Sequence, residues 1–88
     1  LELASALPQG DAAQDRVEAR ELGEAISRFL WTQKPEARIA FLRRYWYADS
    51  LEAVARRMGW SLSKTKSVLF RTRNRLRDFL KQEGLWNG

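Results

Sequence analysis

The chain has 88 residues, 44% apolar and 31% charged, with a formal net charge of +5 and neither Cys nor His. That is room for one small globular domain, and the missing residue types exclude disulfides, Cys/His zinc sites, thiol nucleophiles and imidazole bases. No apolar run approaches the ~18 residues of a membrane span, no glycine-rich phosphate loop occurs, and no carboxylate cluster interrupts an apolar pattern, so neither an enzyme nor a cofactor is expected.

Residues 1–14, LELASALPQGDAAQ, hold Pro8, Gly10 and small side chains and read as a linker or arm, unless Leu1, Leu3 and Leu7 dock on the domain. The start lacks a basic region and a long apolar stretch, so no signal peptide is expected; without an initiator Met the chain reads as a fragment or processed product. Asp15 suits a helix N-cap, with Glu18 as its capping-box partner. Ala19, Leu22, Ile26, Phe29 and Leu30 follow at helical spacing, which predicts a first helix over about 15–31. Gly23 inside it costs about 1 kcal/mol relative to Ala, or marks a close helix contact.

Pro35 suits the first turn of a second helix, predicted over about 35–47 with Ala37, Phe41, Leu42 and Tyr45 as its buried stripe. Asp49 or Ser50 caps a third helix bearing Leu51, Val54, Ala55 and Met58. Gly59 ends it, since glycine enters the left-handed conformation at little cost. Trp60 and Leu62 follow as apolar anchors, with Ser61 or Ser63 as the next cap. The last helix is expected over about 62–83, with Leu62, Thr65, Leu69, Thr72, Leu76 and Phe79 on one stripe. Lys64, Ser67, Arg71 and Asn74 lie opposite, and Lys66, Phe70, Arg73 and Arg77 form a flank. No stretch alternates with period two. The expected fold class is all-α: a small four-helix domain over residues 15–84, with a tail at 85–88.

Charge is uneven along this frame. Residues 61–84 carry seven cations and two anions, so the whole surplus of +5 sits there and the remainder balances at nine against nine. A localised surplus points to a polyanion, with nucleic acid favoured over the competing anionic membrane. Two short helices joined at Gly59–Ser61, the second opening with polar and basic residues, form a helix-turn-helix signature with a long final recognition helix. In that arrangement the second helix lays its leading outer face in the major groove, here Lys64, Lys66, Ser67, Phe70 and Arg71. Its N–H groups and positive dipole end favour phosphate. Arg73, Arg75, Arg77 and Lys81 are better placed for phosphate or for solvent.

The segment RIAFLRRYWYADSLEAVARRMGWSLSKTKSVLFRTRNRLRDFL resembles region 4 of bacterial sigma factors, in particular the small extracytoplasmic-function type of the sigma-70 family. Arg38, Phe41, Arg44 and Tyr45 fit the family's Arg–x–x–Phe–x–x–Arg–Tyr stretch, and Val54 and Ala55 stand in its Ile–Ala place. Gly59 fits the turn, and Lys66, Ser67, Leu69, Phe70, Arg71 and Arg73 fit the last helix. Arg43, Ala53, Lys64, Thr65 and Val68 depart from the pattern. The resemblance, over residues 15–84, implies a monomeric module of the bacterial cytoplasm and nucleoid. It implies double-stranded promoter DNA with a −35-like element, the β flap of RNA polymerase and an anti-sigma factor as partners. Carried over by position, Lys66, Ser67, Phe70 and Arg71 face bases and nearby phosphates, with Lys64 beside them, and Arg44 and Arg73 hold the DNA backbone. The apolar groove near Leu22, Ile26, Phe29 and Leu42 receives the flap. No stretch resembles the family's −10-binding domain, so full sigma function is expected to draw on further sequence or a partner.

Plainer readings stand beside these. Lys66 and Arg71 also read as a solvated basic face, Phe70 as packing against the third helix, and Arg44 as an ion pair with Glu52 or Asp49. Leu22, Ile26, Phe29 and Leu42 read equally as ordinary core. Trp31, Trp46 and Trp60 read as core or helix-junction packing rather than a stacking platform for single strands, and Trp86 as a tail residue. Two other functions fit the pattern: the C-terminal helix-turn-helix domain of a dimeric response-regulator-type transcription factor, and a protein-interaction module whose basic helix meets an acidic protein.

Overall fold

Apolar residues spaced by three and four give each helix one face to bury. The computed structural model describes residues 12–86, the side chains of residues 12–15 and 17 excepted. These residues form four helices and no strand, as the all-α reading expects: α1 (Ala12–Trp31), α2 (Pro35–Tyr45), α3 (Leu51–Met58) and α4 (Leu62–Gln82). None of them is long and apolar enough to cross a membrane. α4 is the central element, packing against α1, α2 and α3, while α2 and α3 also pack on each other.

α1 begins earlier than predicted, so Asp15 falls within its first turn rather than ahead of it. Ala12, Ala13 and Gln14 are good helix formers and carry the helix past the expected cap. The predicted arm thus loses residues 12–14 to α1; residues 1–11, and Asn87 and Gly88 of the tail, lie outside the described residues. Gly23 marks no close contact, since a Cβ there would meet no atom within 4 Å. α1 contributes Ala25, Phe29 and Leu30 to the core. Its end turns directly into Pro35, with the Thr32 and Gln33 N–H groups donating to the Phe29 and Leu30 carbonyls at 2.9 and 3.1 Å.

α2 buries Ala40, Phe41 and Tyr45. It stops two residues before the predicted end because the chain turns left-handed at Ala48 (φ +59°). The Tyr47 and Asp49 N–H groups then donate back to the Leu42 and Arg43 carbonyls, at 3.1 and 2.9 Å. Of the two candidate caps for α3, Ser50 takes the role, accepting from the Ala53 N–H at 3.1 Å. The Asp49 carboxylate instead receives Arg43 Nε at 2.9 Å and Arg57 Nε at 3.4 Å.

α3 and α4 end alike. Gly59 (φ +69°) and Gly84 (φ +72°) turn left-handed. The next N–H reaches five residues back, Trp60 to the Ala55 carbonyl at 3.0 Å and Leu85 to the Leu80 carbonyl at 2.9 Å. This closure satisfies the orphan carbonyls and folds an apolar residue, Trp60 or Leu85, back onto the core.

Along α4 the buried stripe is Thr65, Leu69, Thr72, Leu76 and Leu80. It departs from the predicted stripe at both ends: Leu62 is exposed, and Leu80 takes the buried place given to Phe79. Phe79 is half-buried, its ring centroid 5.7 Å from that of Phe29 on α1. The two core hydroxyls are satisfied within the helix, Thr65 donating to the Ser61 carbonyl at 2.9 Å and Thr72 to the Val68 carbonyl at 2.8 Å.

The tryptophans correct the sequence reading. Trp31 and Trp46, expected to pack in the core or at helix junctions, are 72% and 70% exposed; of the three, only Trp60 is half-buried against the core. Trp31 lies under the Arg38 guanidinium at 4.4 Å, and Tyr47 under that of Arg43 at 4.3 Å. Cation–π contact engages these two rings where core packing does not.

Candidate nucleic-acid interface

Ser61 fixes where α4 starts. Its hydroxyl accepts from the Lys64 N–H at 3.0 Å, and its carbonyl receives the Thr65 hydroxyl. With Thr65, Leu69 and Thr72 buried, the helical period turns Lys64, Lys66, Ser67, Phe70, Arg71 and Arg73 outward, and all six are exposed.

The electrostatics of this end are unusual. Acidic residues in a first turn stabilise a helix against its dipole. α2 has Glu36 there and α3 has Glu52, whereas the first turn of α4 has no acid and carries Lys64. Among the described residues, Lys66, Arg71, Arg73 and Arg75 form no ion pair. The positive end of the dipole and these cations thus have no acidic partner among the described residues, an arrangement that favours anions.

One flank of this surface opens into a cleft of about 440 Å³, where α4 meets the end of α2 and the start of α3. It is lined by Arg44, Tyr45, Leu51, Lys66, Ser67, Leu69, Phe70 and Arg73, none of them acidic. Five of the seven DNA-contacting residues expected from the sequence therefore gather around one concavity. Lys64 and Arg71 lie outside its lining, with Lys64 Nζ held 5.0 Å from the Trp60 ring.

Two of the cleft's cations are positioned by neighbours. Arg44 Nη1 donates to the Asp49 backbone carbonyl at 3.0 Å, while the Asp49 carboxylate receives Arg43 and Arg57. The Arg73 guanidinium lies 5.8 Å from the Tyr45 ring, itself stacked against Phe41 with centroids 4.7 Å apart. The five donors of a guanidinium sit in a rigid fork, a geometry that suits phosphate oxygens.

Phe70 does not pack into the fold as the plainer reading has it; it is 64% exposed. Of the four residues expected to form a partner groove, one is core and three are packed against it. Phe29 is 3% exposed, and Leu22, Ile26 and Leu42 are half-buried against the same cluster. Sequence reasoning missed Tyr45, Leu51 and Leu69 as cleft walls, and Trp60 as the rest for Lys64. The four-residue spacing of Trp60 and Lys64 was a usable signal. Tyr45 and Arg73 stand 28 positions apart, and nothing local joins them. Set against models of known families, curated proteins and solved structures, the chain matches none.

Proposed function

We propose that the chain is a double-stranded DNA-binding module that performs no chemistry and acts as region 4 of a bacterial sigma-70-type factor of the extracytoplasmic-function class. On this reading α3, the Gly59–Ser61 turn and α4 are a helix-turn-helix. The N-terminal outer face of α4 enters the major groove, with Lys64, Lys66, Ser67 and Arg71 directed at base edges and nearby phosphates. Arg44 and Arg73 bind backbone phosphates from the two walls of the cleft. The module holds a −35-like promoter element and helps recruit RNA polymerase, with the β flap as its protein partner and an anti-sigma factor as a competitor for the same surfaces.

The observation that carries the reading is the exposed, acid-free and ion-pair-free leading face of α4. A basic face maintained only for solubility would gain stability from interspersed acids; here they are missing where the helix starts.

Titrating a labelled duplex at several salt concentrations tests it. Log affinity is expected to fall linearly with log salt, by about 0.9 per neutralised phosphate. Arg73→Ala is expected to reduce that slope by about one while leaving sequence preference intact. Affinity that is indifferent to salt, and to charge reversal at Lys66 and Arg71, would remove the DNA reading.

A further inference from the structure

Asp49 lies in the connection from α2 to α3, and its side chain, only 17% exposed, ties the two helices together. On the α2 side the carboxylate receives Arg43 Nε at 2.9 Å on Oδ2 and Arg43 Nη2 at 3.4 Å on Oδ1. On the α3 side Oδ2 receives Arg57 Nε at 3.4 Å. The Asp49 N–H donates to the Arg43 carbonyl at 2.9 Å, and the Asp49 carbonyl accepts Arg44 Nη1 at 3.0 Å. Arg44 in turn stands in the cleft lining with Arg73.

We infer that Asp49 is a positioning residue that strengthens DNA binding although its charge repels DNA; the inference rests on the DNA-binding reading above, in which Arg44 holds a backbone phosphate. A long side chain that is free in solution must be ordered when it engages a phosphate, at a cost to affinity. Arg44 is already held by the Asp49 carbonyl, so much of that ordering precedes the encounter. The carbonyl stays in place only if the main chain beside it does, and Ala48 there is left-handed at φ +59°. A backbone in that region persists when its surroundings over-determine it. The Asp49 carboxylate supplies this constraint through an arginine on each helix. By Coulomb repulsion alone an acid near the phosphates weakens binding. Arg43 and Arg57 offset that charge, and what remains is the geometry it imposes on Arg44.

The test places Asp49→Asn and Asp49→Ala in both the wild-type and the Arg44→Ala backgrounds. Each chain is titrated with one labelled duplex of mixed sequence at several salt concentrations, well below its melting temperature. Asn keeps one side-chain oxygen for Arg43 or Arg57, and Ala keeps none. Affinity is expected to fall in the order wild type, Asp49→Asn, Asp49→Ala, the last by about two- to tenfold, the cost of ordering one long side chain on binding. In the Arg44→Ala background that loss disappears, and affinity stays level or rises with the removed charge. This dependence on Arg44 separates positioning from a general loss of stability, which would lower affinity in both backgrounds. Unchanged or higher affinity for the two Asp49 variants in the wild-type background, as charge alone dictates, overturns the inference while DNA binding stands. An equal fall in both backgrounds overturns it as well. A wild-type chain whose duplex affinity does not respond to salt overturns the DNA reading and this inference with it.

Discussion

Ala48 holds φ +59°, a backbone conformation that costs a side chain with a Cβ about 1 kcal/mol or more. The residues around it keep it there. The Asp49 N–H donates to the Arg43 carbonyl at 2.9 Å, and the Asp49 carboxylate receives Arg43 and Arg57. The same residue's carbonyl accepts Arg44 at 3.0 Å, so a strained connection sets one cation on the cleft wall. Ala48 is exposed and a glycine there gives up no packing. Ala48→Gly is therefore expected to stabilise the fold by about 0.5–1 kcal/mol, read as a small rise in melting temperature. A fall would show that the extra freedom of glycine in the unfolded chain outweighs the relieved strain. At this scale the sequence was a fair guide to the helices' inner faces and a poor one to the tryptophans. Leu30, Phe41, Val54 and Leu76 are buried where the periodicity puts them, because burial is the only stable outcome for a side chain with no polar atom on a helix's inner face. Trp31 and Trp46 sit at helix ends, where the core does not reach, and Trp31 meets the Arg38 guanidinium instead.

At the scale of elements, α3 and α4 are held in register by local chemistry at their junction. Ser50 and Ser61 cap the two helices, each accepting from the N–H three residues on, at 3.1 and 3.0 Å. Gly59 lets the chain turn back so that Trp60 returns to the core and Lys64 comes to rest on its ring. Gly59→Ala would meet no atom within 4 Å, so its cost is conformational alone, about 1–2 kcal/mol. Ser61→Ala is expected to cost about 1 kcal/mol by leaving a first-turn N–H without its acceptor. Both losses should appear as shifted denaturation midpoints with unchanged slopes, and a changed slope would mean that the variant alters compactness rather than a single turn. These caps were legible because Ser and Gly act within three or four residues of themselves. The start of α1 was not, since Asp15 looks like a cap while the residues before it already favour helix. The far end of α4 slipped from Phe79 to Leu80 because 3.6 residues per turn drifts against any fixed pattern of threes and fours over five turns.

For the whole molecule, the division of labour runs across α4. Its inner stripe is the shared floor on which α1, α2 and α3 rest, and its outer side carries the chain's charge surplus. The four-helix, all-α architecture and the basic face could be read from spacing and charge counts alone. The cleft could not, because Arg44 and Tyr45 from α2, Leu51 from α3 and Lys66 to Arg73 from α4 meet only through packing. The most direct test of the central claim is selection from a randomised duplex library at moderate salt, with Arg71→Ala run in parallel. The account predicts one asymmetric motif for the wild type, and for Arg71→Ala a loss of discrimination at one position worth about 1–3 kcal/mol. A motif unchanged by the substitution, a palindromic motif, or salt-sensitive retention with no enrichment would contradict it.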